Sequence, residues 1–157
     1  MHSPPGDLNS LTIIRKMSSQ SIRILAIFKA QFIQFLDELI AQFPREPDLV
    51  IVRIFMKDQV PVADVMCHII CEVLPHEKAI KDRNQDFFIK DNNLFREINP
   101  ERVIHFKRLW TSKNLEDDDR DAIWRWFDAF IMLAKRYQQA VGQQAIMRRE
   151  DGGYSVN

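Results

Sequence analysis

Cys67, His68, Cys71 and His76 fall within ten residues of one another, and His105 could add a further ligand. Two chemistries are open to such a set. Thiolate with imidazole suits zinc, and on a helix Cys67 and Cys71, four residues apart, share a face. Small zinc sites, however, usually hold their first ligand pair across a tight C-x₂-C turn, and this spacing does not provide one. The second chemistry is nucleophilic attack by a thiol. That needs an accessible thiolate in an electropositive setting and a positioned base. Val65, Met66, Ile69 and Ile70 surround the two cysteines, which argues for burial and a raised pKa. The preferred reading makes both cysteines small core hydrophobes, with His68 at the rim and His76 in solvent. No catalytic residue, metal or cofactor is therefore expected.

The run Glu116-Asp117-Asp118-Asp119 invites a divalent cation. It lacks the alternating oxygen ligands and the turn glycine of a calcium loop. It reads better as a helix start, where carboxylates meet the positive end of the helix dipole. The sequence contains no glycine-rich phosphate loop with lysine, and no G-x-S-x-G, H-E-x-x-H or G-x-G-x-x-G.

Two kinds of binding surface remain. Trp124 and Trp126 are two residues apart, so they cannot share one helix face. If one meets the core, the other faces either a second neighbour or a partner. Trp126, Phe130 and Tyr137, followed by Phe87 and Phe88, are the expected contact residues for a protein partner or a second copy. The alternative is a nucleic-acid face. Residues 78–108 hold eight basic against five acidic side chains, with Phe87 and Phe88 interleaved. Lys78, Lys81, Arg83, Lys107 and Arg108 would carry it. The whole chain is neutral, with 22 basic and 22 acidic side chains. Phosphate binding draws most of its affinity from a basic excess, so this reading is the less favoured.

The elements that must position these residues are helical. Glycine is scarce, and long apolar stretches run without clusters of turn residues. Residues 1–10 read as a flexible leader around Pro4, Pro5 and Gly6. Leu11 to Met17 forms a short amphipathic segment that Ser18 and Ser19 interrupt. Ile24, Phe28, Phe32, Phe35, Leu36, Leu39 and Phe43 recur at spacings of three and four, predicting a helix over 21–43 that Pro44 ends. Residues 48–57 suit a buried strand or a helix. Helix is preferred, because no second strand of similar quality exists to pair with it. Pro61 opens a helix that stops before Pro75, and a short charged helix follows over 76–84. Residues 85–98 look irregular. Asn99-Pro100 caps the next helix. The last helix runs from about Glu116 to Val141, with Ile123, Phe127, Phe130, Ala134, Tyr137 and Val141 as its packing seam. A tail over 143–157 is expected to be flexible. The expected fold is all-α: one bundle of five to seven helices spanning 11–142.

The N-terminus lacks the charged-then-apolar pattern of a signal peptide. The longest apolar stretch, Ile22 to Ile40, is interrupted by Arg23, Lys29, Asp37 and Glu38, so no membrane insertion is expected. Two cysteines in an apolar helix suit a reducing, intracellular compartment.

Three blocks carry a resemblance. They are Phe35-Leu36-Asp37-Glu38-Leu39 through Phe43-Pro44; Asp58-Gln59-Val60-Pro61 through Val73-Leu74-Pro75; and His105 to Trp110 through Ile123-Trp124-Arg125-Trp126-Phe127. Together, over roughly residues 30–138, they resemble small helical proteins encoded by large double-stranded DNA viruses of eukaryotes. That resemblance implies a host cytoplasm, host nucleus or virion setting and a structural or assembly role. It carries no catalytic residue over. The function expected from the sequence is thus a non-enzymatic helical interaction or structural protein.

Overall fold

The computed structural model describes the backbone of residues 5–90, 100–142, 146–148 and 154–156, and the side chains of 19–90, 101 and 103–142. Helix α1 spans Pro5–Gln42. It absorbs both the second half of the expected leader and the Ser18-Ser19 break. Proline is tolerated in the first turn of a helix, and each serine costs only about 0.5 kcal/mol against alanine in a helix interior. The stripe read from the sequence is buried as expected: Phe28, Phe35, Leu36 and Phe43 lie in the core, with Ile24, Phe32 and Leu39 packed against it.

Pro44 and Pro47 bracket a tight corner into α2, Pro47–Ile54, which settles the ambiguous apolar run as helix. The chain then passes through a wide π turn, Phe55–Gln59, closed by the Val60 N–H donating to the Phe55 carbonyl at 2.9 Å. Helix α3, Val62–His68, widens likewise over Ile69–Val73 and tightens into a 3₁₀ turn at Leu74–His76. The helix was expected to stop before Pro75. Proline has no N–H and crowds the carbonyl four residues back. The change of pitch on either side accommodates it, so the chain stays helical into α4, Glu77–Lys81.

Helix α4 ends in a Schellman arrangement. The Asn84 N–H donates to the Ala79 carbonyl at 2.8 Å and the Arg83 N–H to the Ile80 carbonyl at 3.1 Å. Arg83 therefore sits at the left-handed position that glycine usually fills, with φ 55°. A short turn, α5, Asp86–Ile89, follows within the segment expected to be irregular, and it buries Phe87 and Phe88. The expected turn Asp91-Asn92-Asn93 and the cap Asn99 lie outside the described residues. Helix α6 covers Pro100–Trp110.

Helix α7, Asp117–Val141, is the spine of the bundle. The Glu116 N–H donates to Asp119 Oδ2 at 2.9 Å, satisfying an N-terminal donor, and Gly142 ends the helix at φ 86°. Phe127 and Phe130 meet α1 through Phe35 and Phe28, at ring separations of 6.1 and 5.6 Å. Phe127 also meets Phe87 and Phe88, and Trp124 packs on Phe88 and Trp110. Each such aromatic pair is worth about 0.5–1.5 kcal/mol beyond its buried area. The result is an all-α bundle with a long C-terminal helix at its centre.

Two short strands lie within the segment expected to be a flexible tail. Strand β1, Ile146–Arg148, pairs antiparallel with β2, Tyr154–Val156, with Ile146 opposite Val156 and Arg148 opposite Tyr154. β-Branched and aromatic residues favour strands. A lone two-stranded ribbon is marginal in water, and β2 lies beside α3.

Candidate functional site

The sulfur-imidazole cluster is placed by α3 and the π turn after it. Cys67 is buried and Cys71 half-buried, and both are free thiols. Burial, with Cys71 and Asp64 nearby, pushes the Cys67 thiol up from 9.0 to about 11. Burial and Glu72 push Cys71 up as well. Both thiols are therefore protonated near neutrality, the opposite of an activated nucleophile. Among the described residues no three His, Cys, Asp or Glu side chains converge as a metal site. His68 and His76 are half-buried, and His105 pairs instead with Glu46 across the α2–α6 boundary.

Four of the five expected contact residues turn inward. Phe130, Tyr137, Phe87 and Phe88 are all core residues. A side chain with almost no solvent-facing area has little to offer a partner, so these four are corrected to packing residues. Phe130 and Tyr137 point inward because α7 is covered on two sides, and Phe87 and Phe88 of α5 form part of that cover, against Phe127. Trp126 is half-buried against Phe35 and Phe130, and its Nε1–H donates to Glu38 Oε2 at 2.7 Å. The indole is thus anchored between α7 and α1.

The five basic residues divide between two helices. Lys78, Lys81 and Arg83 are exposed on and just after α4, while on α6 Lys107 is half-buried and Arg108 exposed. Lys81 lies 3.0 Å from Glu77. Arg83 bonds Asp128 through both guanidinium nitrogens, at 2.9 and 2.7 Å, and its guanidinium carbon lies 5.8 Å from the centre of the Trp124 ring. The Asp128 hydrogen bonds raise the Arg83 pKa against the cost of burial. Lys81 and Arg83 are therefore already ion-paired.

Two surfaces emerge that the sequence reading did not single out. The first is the outer face of α2. Leu49 and Met56 face the core, while Val50 is 42% exposed and Ile54 and Phe55 are each 50% exposed. The signal was present: seven apolar residues crowd into 49–56, more than a short helix can turn toward one side. The π turn adds to it, because its extra residue leaves Phe55 outward beside the buried Met56. Arg53 borders this face and is held by Asp37 of α1.

The second is a groove of about 620 Å³ between α4 and α7, lined by Glu77, Lys81, Arg83, Asp128, Lys135 and Arg136 over Ile131 and Met132. Glu77 accepts from both Lys135 and Lys81, and those bonds, Lys135 first, hold its carboxyl below the ordinary value. No sequence spacing announces this groove, because α4 and α7 lie some 50 residues apart in the chain.

No protein-family model matches the sequence, and no curated protein and no solved structure matches it either. No helix among the described residues is long and apolar enough to cross a membrane.

Proposed function

We propose that this chain is a non-enzymatic helical interaction protein that self-associates through the outer face of α2. The observation that carries this reading is the exposed row Val50 and Ile54 of α2 with Phe55 of the π turn after it, on a short helix whose other side is already packed. Burying such a row releases apolar surface from water, at about 25 cal/mol per Å². An apolar row is complementary to its own copy, as a two-fold interface requires. The resemblance of three sequence blocks to small viral helical proteins adds a virion or assembly setting to the proposal. The nucleic-acid alternative has less support, because its five basic residues divide between α4 and α6 and the chain carries no net positive charge.

Light scattering coupled to size exclusion, run across a concentration series, tests the proposal. The wild type is expected to show a concentration-dependent rise in mass that Ile54→Asp abolishes. A strict monomer at every concentration, or an assembly indifferent to Ile54→Asp, overturns it.

A further inference from the structure

We infer that the groove between α4 and α7 is a docking site for a short acidic peptide segment carrying an apolar anchor. The inference is independent of the α2 face. Lys81, Arg83, Lys135 and Arg136 stand against Glu77 and Asp128, an excess of two positive charges in a chain whose formal net charge is zero. The two carboxylates are occupied from within: Glu77 by Lys81 and Lys135, and Asp128 by both arms of Arg83. Arg136 is exposed at the rim and carries no ion pair among the described residues.

The groove is also amphipathic. Ile131 forms a buried floor, and Met132 is 45% exposed beside it. Methionine adapts its shape to an incoming apolar side chain at little cost. Charge and floor together select the ligand. A run of phosphates would bring uniform negative charge onto Glu77 and Asp128, with no use for Met132. A peptide with separated carboxylates can meet Arg136, share Lys135 with Glu77 and set one apolar side chain on Met132. Along α7 the lining runs from Asp128 to Gln139, which at 1.5 Å per residue is about 16 Å, the length of three helical turns.

The test uses the intact protein and a fluorescein-labelled peptide of alternating Glu and Leu blocks, read by anisotropy at low salt. A Gln/Leu peptide and a single-stranded oligonucleotide of equal charge serve as comparisons. The acidic peptide should bind tightest, and added salt should weaken it. Arg136→Glu should reduce affinity about tenfold or more, as expected for reversing a charge at the contact, and Met132→Ser should reduce it less. Both positions are exposed, so an unchanged melting temperature verifies that the fold is intact. Equal binding by Arg136→Glu, no binding of the acidic peptide, or tighter binding of the oligonucleotide each defeats the inference.

Discussion

Helices α2 and α7 are both rich in apolar residues, yet α7 buries most of its large ones while α2 leaves Val50 and Ile54 exposed. On α7 the apolar positions Trp124, Phe127, Phe130, Ala134 and Tyr137 are all buried, while its polar edge holds Asp128, Lys135 and Arg136. On α2 apolar residues occupy almost every position, and only Leu49 is fully buried. Segregation of apolar from polar positions is what lets a helix satisfy both core and solvent. Where segregation fails, as on α2, the surplus becomes a surface that another molecule can cover.

The widest test of this contrast is stability. Phe130→Ala, at a site with no solvent exposure, should cost about 3–5 kcal/mol in urea unfolding. Ile54→Asp, at a half-exposed site, should cost only about 1 kcal/mol when measured at a concentration where the chain is monomeric. A large loss from Ile54→Asp would mean that the α2 face is structurally committed after all, and the contrast would collapse.

A finer test concerns the polar edge of α7, which Arg83 ties to α4. Arg83→Ala removes the Asp128 bonds and keeps a Cβ in the left-handed conformation. Arg83→Gly removes the same bonds but relieves that conformation. The glycine variant should therefore be the more stable of the two by about 1 kcal/mol. Equal melting temperatures for the two variants would show that Arg83 is not strained there.

The smallest expected effect is electrostatic. Lys135 and then Lys81 hold the Glu77 carboxyl below its ordinary value of 4.5. A carboxylate whose pKa is depressed on folding adds stability above its unfolded value and loses it as pH falls through the folded one. The wild type should thus lose stability more steeply than Glu77→Gln below pH 4.5, and the two should lie on parallel curves near neutrality. Parallel curves throughout the acid range would remove the α4–α7 ion pairs from the account.

The core of α1 and α7 was legible in the sequence because helical burial repeats every three to four residues, and Phe28, Phe35, Phe127 and Phe130 keep that period. Proline marked the corner at Pro44, where backbone sterics act locally. The same local reasoning misplaced two boundaries. Ser18-Ser19 is too weak to break a helix flanked by good ones, and Pro75 ends an ideal helix but not one whose pitch can change. The contact residues were misread for a different reason. Whether Tyr137 or Phe87 faces water depends on what lies on the far side of its helix, and spacing along one segment carries no such information.

What the sequence determined by itself was the helical state of the long segments, α1, α3, α6 and α7, and the charge and apolar content of their faces, since these follow from interactions within a few turns. Only the tertiary structure decided that α7 would be covered on two sides and that the outer face of α2 would be left bare. It alone brought Arg83 of the α4 corner onto Asp128 of α7. Those outcomes depend on how helices distant in the chain share a limited volume of core, and that competition is settled by packing the whole molecule at once.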